Sequence, residues 1–295
     1  MSRIALPEPR DPAPLRTTAT SHGWVQTPPF AWGAEEETLT RVERLPDGVA
    51  TLTIRERGGT LVADADRPLD EAGLAAARGR VVRMLQLETD LGGFHEALAF
   101  DPGLAADVAR VGGGRLLAGS SLWEDVVKTV CATNVSWRQA VAVITRIAAW
   151  DPDGAFPGPE AVADRGETAI REEARAGYRA AYLARAALIG REGRLDDLDA
   201  AAAELPAREL LAELRAIPGV GPTSATLLAF MRGRFDTGVP IDSALRATAI
   251  ARWGDGADLD DAAIRALLAP AAPWGGLALY WATMLRWREG VTLQT

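Results

Sequence analysis

The sequence predicts an α+β protein that is mostly α-helical, with a small antiparallel-sheet domain at the N-terminus followed by a two-lobed helical bundle. Before about residue 87, short segments rich in β-branched residues alternate with turns that contain Pro and Gly. From about Glu88 nearly to the end, apolar residues recur at helical spacing. With 295 residues, 48% of them hydrophobic, the chain can bury a large core in one compact unit of two or three subdomains.

The first part of the chain is expected to contain an arm and a sheet. Residues 1–20 carry Pro7, Pro9, Pro12 and Pro14, which predict an extended, weakly ordered arm. Residues 21–87 are predicted to form the strand-rich domain, and a helix over 70–85 would cover one face of its sheet. The predicted strands are 38–44, 49–55 and 60–66, separated by Pro46-Asp47-Gly48 and Gly58-Gly59. His22 and Trp24 fall in this domain, where we expect packing or hydrogen bonding rather than catalysis.

Residues 88–295 are predicted to form the helical region. The predicted helices at its start cover 91–100, 104–111 and 122–134, and a further helix begins at Ser136. The run Gly112-Gly113-Gly114 is not a phosphate-binding loop, because no strand precedes it and no Gly-Lys-Ser/Thr follows. We expect a flexible connector there.

A helix-hairpin-helix is predicted at 209–232. The helix that contains Glu209–Leu214 stops at Pro218-Gly219, and the next begins after Gly221, with Pro222 in its first turn, where a missing N–H has no partner to lose. Free amides at such a helix N-terminus bind phosphate well. The expected DNA-binding residues are Gly219, Val220, Gly221, Thr223 and Ser224.

Asp242 has a distinctive position in the sequence, directly after an extended segment. Pro240 biases Val239 toward an extended conformation, and Asp242 follows at the start of a helix among apolar neighbours. The structural role expected for such an aspartate is that of a helix N-cap.

Several motifs in order resemble those of the helix-hairpin-helix (HhH-GPD) DNA glycosylase superfamily. The hairpin Ile217-Pro-Gly-Val-Gly221 is followed 21 residues later by Asp242. The segments 155–162 and 176–182 are similar to segments of the 8-oxoguanine glycosylases, and Pro273-Trp274 is similar to a turn in 3-methyladenine DNA glycosylase II. The resemblance is strong over about residues 88–287 and weak over the first 85.

This resemblance implies a base-excision repair enzyme that extrudes a damaged base and hydrolyses its N-glycosidic bond. The resemblance makes Asp242 the candidate catalytic residue, acting at the sugar, which is compatible with a role as helix N-cap. Asn134 would enter the space that the extruded base leaves. Bifunctional relatives carry a Schiff-base lysine where this chain has Thr223, and Lys128 is the only lysine in the sequence. The resemblance therefore implies a monofunctional glycosylase without lyase activity, which leaves an abasic site.

The damaged base is expected to be an alkylated purine, with an oxidised purine as the alternative. Electron-deficient alkylated purines are recognised by aromatic stacking, and Trp137, Tyr280 and Trp281 lie in segments expected to form the base pocket. Leu279 stands where the 8-oxoguanine branch has a glutamine that binds the base.

No cofactor is expected beyond an optional Na⁺ or K⁺, which the resemblance assigns to the main-chain carbonyls of Arg215, Ile217 and Val220. A single cysteine, Cys131, excludes an iron-sulfur cluster like that of some relatives. The expected partner is double-stranded DNA with a damaged base, bound by a monomer. The sequence has no apolar run approaching the length of about 18 residues that a membrane span needs, and it lacks a signal-peptide core. We therefore expect a cytoplasmic, nucleoid-associated protein that contacts no membrane.

The net charge of −8 is the main compositional argument against DNA binding. Backbone amides lessen the need for cationic side chains, and arginines 215, 232, 234, 246 and 252 lie near the expected DNA face. Two alternatives stay open: a noncatalytic helix-hairpin-helix protein that binds DNA or recognises damage, and a helical protein of unrelated function in which Pro-Gly-Val-Gly is only a turn.

Overall fold

The computed structural model describes residues 1–288 and confirms the α+β, mostly α-helical fold class. Its N-terminal part contains a five-stranded antiparallel sheet of order β1-β5-β4-β3-β2. The strands are β1 Ser2–Ile4, β2 Phe30–Gly33, β3 Thr38–Leu45, β4 Gly48–Arg57 and β5 Thr60–Ala65. The three predicted strands are confirmed, whereas β1 and β2, at the two edges of the sheet, were not predicted.

The expected extended arm at 1–20 is wrong in two places. Strand β1 pairs with β5, with Ser2 opposite Ala65, and Leu15–Ala19 form helix α1. Ile4 and Leu15 are both buried and anchor these elements. The four prolines lie between β1 and α1, so they interrupt neither the sheet pairing nor the helix.

Helices make up most of the remaining described chain. They are α2 Glu71–Met84, α3 Gly92–Ala97, α4 Pro102–Val111, α5 Leu122–Ala132, α6 Trp137–Ala148, α7 Pro159–Glu172, α8 Arg179–Arg191, α9 Arg194–Ala201, α10 Ala207–Ala216, α11 Pro222–Met231, α12 Ser243–Trp253, α13 Asp261–Leu268 and α14 Gly275–Arg288. Side chains that accept backbone N–H bonds fix several starts, such as Asp70 for α2 and Ser136, in a capping box with Gln139, for α6.

No single helix within residues 1–288 is long and apolar enough to cross a bilayer. The pair Asp261–Ala271 and Gly275–Arg288, bent by 103°, passes that test of length and composition only when both are taken together.

The described chain packs around two hydrophobic cores. The first unites the sheet and α1–α4 with residues 230–285, and the second gathers residues 122–229. The chain passes between the cores near residue 120 and again inside α11, where Ala229 belongs to the second core and Phe230 to the first. The expected division at residue 87 therefore differs from the division between cores, because the C-terminal helices complete the core under the sheet.

The expected flexible connector at Gly112–Gly114 is instead a packed segment. Gly113 and Gly114 are buried. A Cβ atom at Gly113 would lie 3.0 Å from the Trp281 ring, and one at Gly114 would lie 2.6 Å from Leu91 Cδ1. The glycines are needed because neighbouring side chains occupy the space that a larger residue would fill.

A buried ionic cluster joins the sheet to α5. Glu124 accepts hydrogen bonds from Arg41 on β3 and pairs with Lys128 one turn along α5, at 2.7 Å. All three side chains are at most 1% exposed. The positive charges of Arg41 and Lys128 hold the pKa of Glu124 far below its ordinary value against the opposing effect of burial.

A second set of ion pairs extends this cluster toward the second core. Arg83 on α2 donates to Asp125 on α5 at 2.8 Å and to Asp199 on α9 at 3.1 Å. Arg232, just after α11, also pairs with Asp199, at 2.7 Å. These pairs fix α2, α5, α9 and the end of α11 relative to one another.

Asp101 generates a stability prediction. Its carboxylate caps α4 through Leu104 N and accepts from Arg252 and from the Trp253 indole, and these bonds lower its pKa from 3.8 to about 2, although partial burial opposes the shift. We expect Asp101→Ala to lower the free energy of unfolding by about 1–3 kcal/mol at pH 7. Because the folded-state pKa is depressed, the stabilisation is complete above pH 3.8 and is lost as the pH falls through about 2.

Urea unfolding between pH 7 and about pH 3 checks this prediction. The control is Asp107→Ala, which removes an exposed pair with Arg110 on the same helix and should change little. Equal losses in the two variants, or a loss from Asp101→Ala that does not shrink in acid, would contradict the prediction.

Candidate functional site

A cleft of about 1120 Å³ opens between the two cores. One side comes from the second core: α5, the turn after it, α8 and the α10–α11 hairpin. The other side comes from the first core: the turn before β2, the start of α12, and α14. The residues that line the cleft include His22, Trp24, Asn134, Tyr178, Tyr182, Arg185, Arg215, Gly219, Thr223, Asp242 and Tyr280.

The predicted hairpin forms one wall of this cleft. Helix α10 ends at Ala216, the turn 217–221 follows, and Gly221 is the N-cap of α11. Glycine has no side chain to cap the helix, and Thr223 and Ser224 in the first turn face the cleft. The first amides of α11 therefore stay available to an anion such as a phosphate.

Gly219 has a backbone conformation that the hairpin requires. Its φ is +85°, in the left-handed region, and a Cβ atom there would lie 2.9 Å from Tyr182 Cβ on α8. Gly221, by contrast, has φ −86° and open space around it. Of the two glycines, only Gly219 is therefore required by the conformation of the turn. Gly221 has no side chain that would cover the start of α11.

Asp242 lies at the mouth of the same cleft and is exposed. Its Oδ1 caps α12 by accepting from Leu245 N at 2.8 Å, which realises the structural role considered from the sequence. The other carboxylate oxygen accepts no hydrogen bond from any residue in the described range 1–288. One oxygen thus fixes the side chain, and the other is open to a bound molecule.

Thr223 links the hairpin to this carboxylate. Its Oγ1 donates to the carbonyl oxygen of Ile241 at 3.1 Å, so the first turn of α11 contacts the residue that directly precedes Asp242. This bond holds the hairpin next to the segment that carries the aspartate.

Asn134 lies on the rim of the cleft, beside two exposed tyrosines. It has φ +50° in the turn after α5, and its Nδ2 donates to the Tyr178 hydroxyl at 3.3 Å. Tyr178 and Tyr182 are 51% and 39% exposed and pack edge to face, with ring centroids 6.1 Å apart. Polar and aromatic groups thus stand at the entrance of the cleft.

The cleft floor, which we define as His22, Trp24 and Tyr280, is aromatic. The His22 ring lies edge to face with Trp24 at 5.0 Å and with Tyr280 at 6.4 Å between ring centroids. Burial, and then the charge of Asp242, raise the pKa of the Tyr280 phenol, so it stays protonated. Tyr280 was predicted for the base pocket, whereas His22 and Trp24 were assigned only to packing and hydrogen bonding.

Two aromatic residues predicted for the pocket lie elsewhere. Trp281, next to Tyr280 in α14, is fully buried in the first core and packs against Gly113. Trp137 packs against Gly23, and its indole N–H donates to Gln26 Oε1 at 2.9 Å. Neither lines the cleft, because consecutive residues of a helix face different directions and α6 turns its first residue toward the turn before β2.

The arginines expected near the DNA face divide into two groups. Arg232, Arg234, Arg246 and Arg252 form ion pairs with aspartates outside the cleft. Arg215 lines the cleft together with Arg185, and neither pairs with a carboxylate in the described part of the chain. Asp242 is the one acidic residue among the described residues that line the cleft, so its surroundings are far less acidic than the net charge of −8 suggests.

Known proteins match this chain in their three-dimensional structure but not in their sequence. No protein-family model matches the sequence, and no curated protein matches it significantly. The 3-methyladenine DNA glycosylase from Archaeoglobus fulgidus superposes with a TM-score of 0.75 at 17% identity, over 99% of this chain and 100% of that one. The chain has the fold of the helix-hairpin-helix DNA glycosylases.

Two further glycosylase-fold structures were solved with DNA. MBOgg1, in complex with a low-affinity DNA ligand, is 22% identical, with a TM-score of 0.73 over 93% of this chain and 92% of that one. The Clostridium acetobutylicum 8-oxoguanine glycosylase/lyase, in complex with double-stranded DNA containing cytosine opposite 8-oxoguanine, is 18% identical, with a TM-score of 0.68 over 92% of this chain and 93% of that one. At these identities the similarity establishes the fold.

Alanine substitutions of the two hairpin glycines should affect stability differently. We expect Gly219→Ala to lower the free energy of unfolding by about 1–2 kcal/mol, because alanine is strained at positive φ and its Cβ meets Tyr182. Gly221→Ala should change stability by less than about 1 kcal/mol, because its φ suits alanine, which offsets the poorer helix capping by alanine. Urea unfolding of the two variants measures both effects, and equal destabilisation would refute the assignment.

Proposed function

We propose that the protein is a DNA glycosylase that extrudes a damaged base and hydrolyses its N-glycosidic bond. The observation that carries the proposal is the placement of the Asp242 carboxylate and the uncapped start of α11 on one cleft. The hairpin amides would hold a DNA phosphate while the carboxylate faces the sugar of the extruded nucleotide. The similarity to structures of 3-methyladenine and 8-oxoguanine glycosylases supports the same reaction class.

The chemistry asks little beyond one ionised carboxylate. Glycosidic cleavage passes through a sugar with oxocarbenium character, which a nearby negative charge stabilises. The free oxygen of Asp242 is oriented by the bond of the other oxygen to Leu245 N, so little reorganisation is needed when positive charge develops. The same oxygen would accept the proton of the attacking water as a general base.

Thr223 supports hydrolysis without strand cleavage. A lyase step needs an amine that attacks the sugar carbon to form a Schiff base. The Thr223 side chain lies next to the segment of Asp242 and offers only a hydroxyl, which is bonded to the Ile241 carbonyl. Lys128 is fully buried in its ion pair with Glu124 and cannot replace it. The proposed product is therefore an intact strand with an abasic site.

We propose that the hairpin turn holds a monovalent cation through main-chain carbonyls, one of which, that of Ile217, also accepts a hydrogen bond from Val220 N at 3.1 Å. Carbonyl oxygens are suitable ligands for such ions, and Pro218 has no N–H to offer the carbonyl of Arg215. Ile217 and Val220 flank the same turn. Na⁺ or K⁺ held by the carbonyls of Arg215, Ile217 and Val220 would stiffen the turn and add positive charge beside a bound phosphate.

The cleft residues restrict the class of damaged base less than they restrict the type of reaction. Trp137 and Trp281, on which the preference for an alkylated purine partly rested, lie outside the cleft. The aromatic floor of His22, Trp24 and Tyr280 can stack on a flipped base of either class. Hydrogen-bonding groups on the floor must then discriminate among bases.

A noncatalytic reader of damaged DNA is the second candidate. The acidic net charge of −8 and the small number of cleft arginines favour weak, lesion-dependent binding. Such a protein would need the hairpin and the aromatic floor but not the free oxygen of Asp242.

Asp242→Asn separates the two candidates. We expect the variant to fold normally, because Asn also caps helices, and to release base at least about 100-fold more slowly than the native protein. Base release is measured on duplexes with single alkylated, oxidised or deaminated bases, as strand breaks that require alkali. The matched control is Asp260→Asn, which changes the cap of α13 outside the cleft and should keep full activity.

Each outcome decides between the proposals. Alkali-dependent breaks that disappear with Asp242→Asn support a monofunctional glycosylase. Lesion binding without release by the native protein would support the noncatalytic reader. Breaks that appear without alkali would overturn the assignment as monofunctional.

Thr223→Lys tests the proximity of residue 223 to the sugar. We expect this variant to form a covalent protein–DNA complex that borohydride reduction traps, because the new amine would reach the reacting carbon. Gel mobility of the reduced sample measures the complex. Thr223→Met, of similar length and without an amine, is the control, and trapping absent from Thr223→Lys on a substrate that it still processes would contradict the geometry.

A further inference from the structure

Two polar groups on the cleft floor have no partner within the described chain. The indole N–H of Trp24 and the phenol hydroxyl of Tyr280 make no hydrogen bond to any of residues 1–288. Neither atom is sealed off, in contrast to Nε1 of Trp281, which is buried without a partner in the core. Because both residues line the cleft and both atoms are accessible, a molecule bound in the cleft can accept hydrogen bonds from them.

Both groups present hydrogens to such a ligand. An indole N–H can only donate, and a phenol kept protonated by its surroundings donates readily. Trp24 and Tyr280 flank the His22 ring, which packs edge to face against both. The two donors therefore belong to one surface.

His22 itself is not available to bind a base through its nitrogens. Its Nε2 lies 2.6 Å from the carbonyl oxygen of Leu117, and its Nδ1 accepts from Trp24 N at 3.3 Å. Burial lowers the pKa of His22 to about 4, against the opposing effect of the bond to Leu117, so the ring is neutral and Nε2 carries the hydrogen. His22 therefore supports the two donors as a fixed, uncharged ring.

A positive charge lies behind the floor. The Lys128 ammonium is 5.6 Å from the centroid of the Trp24 ring, and its charge also contributes to the lowered pKa of His22. A cation behind an aromatic ring strengthens the ring N–H as a donor and disfavours a second cation stacked on the other face. Glu124 pairs with Lys128 and offsets much of this charge, so the preference for a neutral base comes mainly from the two donors, which present hydrogens rather than lone pairs to the ligand.

We propose that Trp24 and Tyr280 are specificity-determining residues that read a neutral purine by donating hydrogen bonds to its carbonyl oxygens. The substrate class is then an oxopurine, produced by deamination or oxidation, rather than a cationic alkylated purine. This inference rests on the proposed glycosylase function, in which Asp242 acts at the sugar while the floor holds the base.

The test compares four bases in one duplex sequence. Hypoxanthine and 8-oxoguanine are neutral and carry carbonyl oxygens, 1,N6-ethenoadenine is neutral without one, and 3-methyladenine is cationic without one. Single-turnover base release, corrected for spontaneous loss, is measured for the native protein, and binding is measured with Asp242→Asn. We expect faster release of at least one oxopurine, and tighter binding of it, than of either base without a carbonyl.

Tyr280→Phe and Trp24→Phe each remove one donor and keep an aromatic ring. We expect each to slow release of the preferred oxopurine about tenfold or more, with a smaller change for 1,N6-ethenoadenine and 3-methyladenine. The control is Trp137→Phe, whose indole N–H bonds to Gln26 outside the cleft and which should keep the native selectivity.

The outcomes separate this inference from the proposed function. Release that favours 3-methyladenine or 1,N6-ethenoadenine, or that Tyr280→Phe and Trp24→Phe slow equally for all bases, would overturn the inference and leave the glycosylase intact. Absence of release from every duplex would overturn the proposed function. In that case the binding preference of the native protein and of Tyr280→Phe for carbonyl-bearing bases still decides whether the floor reads them.

Discussion

The carboxylate of Glu124 fixes the relation between the sheet and the helices. It binds Arg41 from β3 and Lys128 from its own helix, with all three side chains at most 1% exposed. Removal of one member of such a buried pair costs about 3–5 kcal/mol, because the partner's charge is left without compensation. Trp24 and Phe30 lie over the Lys128 ammonium, so the turn that carries the cleft floor rests on the same charges. The pairing of these buried charges thus sets the position of the turn that carries the cleft floor.

Local chemistry made much of the architecture predictable. The three strands joined by tight turns, the helix that Asp70 caps, and the hairpin with Pro222 at the start of α11 each follow from a few adjacent residues. The edge strands and α1 were missed because their evidence is distant: Ile4 is apolar without a local pattern, and its partner strand begins at Thr60. The division into two cores was missed for the same reason, since residues 230–285 return to pack under the sheet.

The candidate site was predictable where it depends on one segment. The hairpin, Thr223 and Asp242 lie within about one helix and loop of each other, and the bond from Thr223 to Ile241 closes that short span. The floor was not predictable, because His22 and Trp24 reach Tyr280 only through the fold of the whole first core. The orientation of α14 also determines which of two adjacent aromatic residues lines the cleft: Tyr280 faces the cleft, whereas Trp281 faces Gly113 in the core. Aromatic composition alone cannot make that distinction.

The acidic character of the chain has a kinetic consequence under the proposed function. A protein of net charge −8 that grips DNA through main-chain amides and two cleft arginines displaces few counterions, so its hold on undamaged duplex is brief at cellular salt. Such a protein finds its target by repeated release and recapture rather than by long one-dimensional sliding. DNA sites where base pairs already open easily would then be captured first, and the rate of repair would depend on the local stability of the DNA duplex.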